Sequence, residues 1–228
     1  MPKNNLQTID HSDVIIKYSF ESSLGAMENN RYQQKIKGDI ILLDEWDNEI
    51  GTIGKISADK LLMSVAIDNG CGLLPVCDIE QYLMDIGQVV YDLKQDDYNP
   101  ALSKVFHDSL IERTILILNH ITFLPHFESS DIEKYVVKDL YNNFIQGAGL
   151  FVVILNPPKK HPDDKIEDQE WKLDRSGTKL IKNRKYRLSK VIRYYEKIGF
   201  KYIPEIAKDL VFLSPGIISR DFHKVTLD

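Results

Sequence analysis

The sequence predicts a single domain of the mixed α/β class, in which helices cover both faces of a mixed sheet. Its 228 residues, 43% hydrophobic and 28% charged, suit one domain with a packed core. The first half holds apolar runs separated by turn residues, which is typical of strands. The second half alternates apolar runs with segments of helical period, and this order favours a sheet with helices on both sides.

Four strands are predicted in the first third of the chain. Residues 13–20 form an apolar run, and residues 37–57 are predicted to form a hairpin whose turn is at 47–48. Residues 60–67, KLLMSVAI, are predicted to be the next strand, because the turn residues Asp-Asn-Gly follow at 68–70.

A helical insert is predicted at about 74–110. Apolar residues recur every three or four positions from 76 to 93, and Asp78 with Gln81 is predicted to cap this helix. A second short helix is expected near 100–110.

The second half is predicted to hold the longest strand, at 112–125, and then a helix. Ser130 and Glu133 have the spacing of a capping box, which predicts the start of that helix. An apolar stripe follows, and glycines end the helix. Residues 149–158 are predicted to be a buried strand. The stripe consists of Ile132, Val136, Leu140 and Phe144.

The last part of the chain begins with a polar excursion at about 159–187. A helix is predicted at 187–200, ending at Gly199, and a hairpin at 201–215. We expect all of this, residues 1–228, to form one domain.

Composition argues against several classes of function. The net charge of −5 disfavours a nucleic-acid partner, since such domains usually carry a basic face. The N-terminus is polar and no apolar run is long enough to span a membrane, so we expect a cytoplasmic protein with no membrane partner. Cys71 and Cys77 are the only cysteines, and we expect both to be reduced and structural, with no metal site.

Two short motifs resemble a known family. YYEKIGF, at 194–200, is a helix end followed by Gly-Phe, and the stretch Leu-Pro-His-Phe at 124–127 follows the longest strand. Together with the order of elements over roughly 36–213, these residues resemble the GNAT superfamily of acetyltransferases. The resemblance implies a mostly antiparallel central sheet, acetyl-CoA as cofactor, and acetyl transfer to an amine.

The resemblance also implies which residues contact the cofactor. In that family, backbone N–H groups after the fourth strand and at the next helix N-terminus wrap the pyrophosphate. On this chain the corresponding positions are Phe123, Leu124, Glu128, Ser129, Ser130, Asp131, Ile132 and Glu133, with Asn156 at the end of the next strand.

Three of these residues depart from the family pattern. Glu128 stands where the family has arginine or glutamine, and Asp131 and Glu133 stand where it has glycine. A carboxylate about 5 Å from a phosphate charge costs roughly 3 kcal/mol at an effective dielectric constant of about 20. A micromolar affinity is only about 8 kcal/mol, so these residues disfavour the cofactor. They also suit a helix start that caps itself, which is a purely structural role.

Two residues are candidates for the chemistry. Tyr195 matches the tyrosine that the family often uses as an acid toward the leaving thiolate, with Tyr194 as the alternative. His120 is the candidate base, because the pKa of an imidazole suits proton transfer near neutral pH. A buried helix aromatic and a structural strand histidine are the alternative interpretations of these residues.

Three functions are therefore expected from the sequence. The first is a working N-acetyltransferase, the second a GNAT-like fold that acts as a binding or regulatory module without acetyl-CoA, and the third an acyltransferase with a different donor. The acceptor is a small-molecule or peptide amine. A homodimer is possible, because the sequence carries no signal of the oligomeric state.

Overall fold

The core of the fold is a seven-stranded sheet with the strand order β1-β2-β3-β6-β7-β9-β8. The computed structural model describes residues 10–21, 29–124, 127, 132–155, 184–217 and 220–225. Neighbouring strands of the sheet are antiparallel, except that β6 and β7 are parallel. The sheet strands are β1 (Val14–Glu21), β2 (Gln33–Leu43), β3 (Glu49–Leu61), β6 (Ile115–Phe123), β7 (Leu150–Ile154), β8 (Lys201–Tyr202) and β9 (Leu210–Leu213).

Helices lie on both faces of this sheet. The segment between β3 and β6 holds four of them and a ribbon of two short strands, and the others follow β6. The helices are α1 (Met63–Asp68), α2 (Leu73–Cys77), α3 (Gln81–Val90), α4 (Pro100–Phe106), α5 (Ile132–Phe144), α6 (Arg184–Lys197) and α7 (Arg220–His223), and the ribbon is β4 (Tyr91–Asp92) with β5 (Asp97–Tyr98).

The strands alternate their side chains between two apolar clusters. Phe151 and Val153 of β7 belong to the cluster that α5, α6 and α7 cover. Leu150 and Val152 belong to the cluster that α1 to α4 cover. Because successive side chains of a strand point to opposite faces, these two clusters lie on opposite sides of the sheet. The mixed, mostly antiparallel sheet with helices on both faces is therefore confirmed.

The predicted strand at 60–67 is wrong. β3 continues to Leu61, and the chain then turns into α1, in which Met63 and Ala66 are buried. A short apolar run has the same composition in a buried helix as in a buried strand, so its pattern does not distinguish them. The turn at 68–70 is present, and Gly70 has a positive φ of 74°.

The predicted capping pair of Asp78 and Gln81 is also wrong. Asp78 is the C-cap residue of α2, and the N-cap residue of α3 is Glu80, which makes no side-chain capping bond. The periodic segment 76–93 therefore covers the end of α2, a turn, all of α3 and the short strand β4.

The other predicted elements that fall on described residues are present, within a few residues of their expected ends. They are the strands at 13–20, 112–125 and 149–158, the hairpins at 37–57 and 201–215, and the helices near 100–110, after 130 and at 187–200. The polar excursion lies mostly outside the described residues. No helix of the described chain is both long and apolar enough to cross a lipid bilayer.

Candidate functional site

A cleft opens in the sheet where the two parallel strands part. The described ladder between β6 and β7 ends at the pair Leu118 and Val153, although β6 continues to Phe123. β7 stays paired with β9 on its other side to its last residue, since Ile154 pairs with Leu210. The divergence leaves a gap between β6 and the end of β7.

A bulge in β6 lies at the point where the strands part. Ser57 of β3 pairs with His120 and Ala58 pairs with Leu118, so Asn119 is an extra residue on β6. A bulge bends its strand and increases the local twist. The bulge therefore explains both the separation of β6 from β7 and the direction of His120 at the cleft.

The cleft holds a cavity of about 110 Å³. Six apolar residues and three polar side chains line it, and the polar ones come from three elements: His120 from β6, Glu133 from α5 and Tyr195 from α6. The apolar lining residues are Leu118, Ile121, Val153, Ile154, Leu155 and Val191.

Tyr195 and Glu133 are joined by a hydrogen bond across the cleft. The Tyr195 hydroxyl, on a side chain only 5% exposed, donates to Glu133 Oε1 at 3.0 Å. Burial raises the pKa of Glu133, although the bond from Tyr195 partly opposes this rise. Burial and the neighbouring Glu133 raise the pKa of Tyr195 well above its usual value. The phenol therefore stays protonated at neutral pH.

The structure brings together the two catalytic candidates, His120 and Tyr195, and one cofactor-binding candidate, Glu133. Other sequence-predicted residues lie elsewhere. The side chains of Phe123 and Ile132 are buried in the apolar core, and the Leu124 N–H donates to the carbonyl of Ile53 at 2.9 Å. The predicted residues Glu128, Ser129, Ser130, Asp131 and Asn156 lie outside the described residues.

The sequence analysis missed the apolar wall that α6 contributes. Val191 lines the cavity and lies four residues before Tyr195, on the same face of the helix. That spacing is visible in the sequence and could have identified Val191. The inward direction of Glu133 has no such signal, because the first turn of a helix is usually solvated.

The chain matches no protein-family model, no curated protein sequence and no solved structure. Within the described residues, no three histidine, cysteine, aspartate or glutamate side chains are grouped so that they could hold a metal ion. Function must therefore be argued from the cleft itself.

Proposed function

We propose that this chain is a GNAT-type N-acetyltransferase that moves an acetyl group from acetyl-CoA to an amine. The observation that supports the proposal is the cleft between the two parallel strands, with His120, Glu133 and Tyr195 in its walls. The candidate acid, Tyr195, and the candidate base, His120, are far apart in sequence, and both line this cleft.

The described residues fit the acyl end of the cofactor. Bound acetyl-CoA would supply an activated acyl group, as a thioester at the end of a narrow, uncharged arm. Six of the nine residues that line the cleft are apolar, and the β6 backbone beyond Leu118 makes no described pair with β7. Backbone N–H and C=O groups at such a strand edge can bond an amide-containing arm, as an added strand would.

The polar residues of the cleft have distinct capacities. His120 is half-buried, and an imidazole there can accept a proton from the acceptor amine. The protonated Tyr195 hydroxyl can donate its proton, and it now donates a hydrogen bond to Glu133. To donate to a leaving thiolate it would have to turn from Glu133, so its role as acid stays a prediction.

Glu133 supports a second candidate function, a binding module that does not use acetyl-CoA. An ionised carboxylate in the cleft repels the phosphates of the cofactor. Its bond to Tyr195 also gives each side chain a hydrogen-bond partner without any ligand. The raised pKa of Glu133 favours the neutral form, which weakens this repulsion.

Calorimetric titration with acetyl-CoA separates the two functions. We expect the wild-type protein to bind, and Glu133→Gln to bind about tenfold more tightly, because the substitution removes one charge and keeps an acceptor for Tyr195. Glu196→Gln is the matched control, since Glu196 lies exposed on α6 and should leave the affinity unchanged.

Two results would contradict the acetyltransferase proposal. No binding by either Glu133 form at millimolar acetyl-CoA would leave the module as the better function. Binding by Glu133→Gln alone would mean that Glu133 itself bars the cofactor in this chain.

A further inference from the structure

A second polar group lies on the opposite side of the sheet from α5 and α6, and its centre is Asp59. This carboxylate is only 1% exposed. It accepts hydrogen bonds from Tyr82 Oη at 2.6 Å, Asn119 Nδ2 at 2.5 Å and Gln33 Nε2 at 3.0 Å. All three donors are neutral, and Asp59 forms no ion pair within the described chain.

A second carboxylate adjoins it. Gln33 Nε2 also donates to Glu80 Oε1, at 3.1 Å, and so bridges the two acids. The only cation bound within the group is Lys35, whose Nζ lies 2.9 Å from Glu80 Oε1. Lys35 is also the residue of β2 that pairs with Asp59 of β3. Two carboxylates thus lie beside one ammonium group, which is unfavourable for buried groups.

Two acceptor atoms of the group are buried and have no hydrogen-bond partner in the described part of the chain. They are Asn119 Oδ1 and Glu80 Oε2. Asn119 is 2% exposed, and its amide points into the group, because its Nδ2 bonds Asp59. An unmade hydrogen bond of this kind is costly. The group therefore lacks hydrogen-bond donors, and it has one positive charge for two carboxylates.

The group adjoins the cleft through the bulge. Asn119 is the bulged residue, and the next residue, His120, lines the cavity. Asn119 Nδ2 also lies 3.4 Å from Ser57 Oγ, and Ser57 is the residue that pairs with His120. A ligand at Asn119 would therefore lie across β6 from the cleft.

We propose that Asp59, Asn119 and Glu80 form a recognition site for a protonated primary amine. An alkylammonium group carries one positive charge and three N–H donors, which would supply the second positive charge and the donors that this group lacks. This inference rests on the proposed function, in which the bound amine would be the group that accepts the acetyl. The experiments that test it do not require acetyl-CoA.

The test measures the melting temperature without acetyl-CoA, at constant ionic strength, with three probes. Butylamine has both charge and donors, 1-butanol lacks the charge, and tetramethylammonium lacks the N–H donors. We expect butylamine alone to raise the melting temperature, by about 3 °C when its concentration is about ten times its Kd. Equal shifts with all three probes, or none, would overturn the proposal and leave a buried water as the partner of Asn119.

Asp59→Asn removes the charge and nearly keeps the shape. We expect it to weaken butylamine binding at least tenfold. Asp85→Asn is its matched control, because Asp85 is an exposed acid on α3 and should leave the binding unchanged. Retained binding in Asp59→Asn would place the amine elsewhere and overturn the proposal.

Lys35→Met keeps the proposal testable if Asp59→Asn does not fold. It removes the ammonium that now neutralises Glu80, so butylamine should bind about threefold more tightly. Lys104→Met, an exposed substitution on α4, controls for the change in net charge. Unchanged or weaker butylamine binding by Lys35→Met would contradict the proposed amine site. Because these measurements omit acetyl-CoA, their failure is distinct from a failure to bind the cofactor.

Discussion

Gly149 occupies a position in which even one added methyl group would collide with the backbone. A Cβ there would lie 1.9 Å from the carbonyl oxygen of Glu112 and 2.7 Å from Tyr98 Oη. The Gly149 N–H also donates to the carbonyl of Thr114 at 2.9 Å. This close approach begins the parallel pairing of β6 and β7, one residue before Leu150 pairs with Ile115.

Gly149→Ala should therefore destabilise the fold. We expect a loss of about 3 kcal/mol in the free energy of unfolding, because backbone atoms of two elements would have to move apart. Chemical denaturation measures it. Gly51→Ala is the matched control, since a Cβ at Gly51 meets nothing within 4 Å, and it should change stability by less than about 0.5 kcal/mol. Equal effects of the two substitutions would contradict the close approach.

At the scale of elements, α5 and α6 are linked across the cleft by the bond from Tyr195 to Glu133. Each side chain comes from a different helix, and the cavity lies between them and the ends of β6 and β7. The positions of the two helices therefore decide how wide the cleft is and whether its carboxyl group is charged.

This link predicts a dependence of stability on pH. Burial raises the pKa of Glu133 in the folded protein, so the folded state holds this proton more tightly than the unfolded state does. The stabilising contribution is complete below the unfolded pKa, about 4.3, and is lost as pH rises through the folded pKa. Glu133→Gln has no such proton, so its melting temperature relative to wild type should rise between about pH 4 and neutral pH.

The control for this dependence is again Glu196→Gln. Because Glu196 is exposed, the difference in melting temperature between Glu196→Gln and wild type should not rise between about pH 4 and neutral pH. A flat difference for Glu133→Gln over this range would show that the carboxyl group of Glu133 ionises as freely as in water.

At the scale of the whole molecule, the end of the chain closes the core that α5 and α6 cover. Phe222 of α7 is 1% exposed, and its ring lies 4.8 Å from the ring of Tyr141 and 6.3 Å from that of Phe200, between centroids. Lys138 lies over the same ring at 4.3 Å and donates to the carbonyl of Phe222 at 3.3 Å. Phe222 of α7 thus contributes to the apolar core that α5 and α6 cover.

Phe222→Ala should lower the free energy of unfolding by about 3–4 kcal/mol, through lost burial and the cavity left behind. Denaturant titration measures the loss, and the neighbouring His223→Ala, at an exposed position, should stay within about 0.5 kcal/mol of wild type. A change of less than about 1 kcal/mol in Phe222→Ala would mean that α7 does not pack stably against the core.

Much of the fold could be predicted because its signals are local. The stripe of α5, the buried run of β7 and the turn at Gly199 depend on residues a few positions apart, and each is present where it was expected. The local pattern at 60–67 could not distinguish a helix from a strand, because either can bury a short apolar run.

The candidate site was predicted only in part. Tyr195, His120 and Glu133 were each named from the sequence, and all three line the cleft. Their roles in acetyl transfer stay predictions. The polar group around Asp59 had no signal at all, because Gln33, Asp59, Tyr82 and Asn119 come from four elements of the chain.

By itself, then, the sequence determined the class of fold and most of its elements, since hydrophobic period and turn chemistry act within a few residues. The three residues of the cleft were named from the sequence too, Tyr195 and Glu133 through the family resemblance and His120 through its place in the longest strand. Only the tertiary structure decided that Asn119 bulges from β6, that Glu133 turns inward to Tyr195, and that Asp59 is buried among neutral hydrogen-bond donors. Each of these depends on the register between strands or on contacts between distant elements, and no short stretch of the chain determines either.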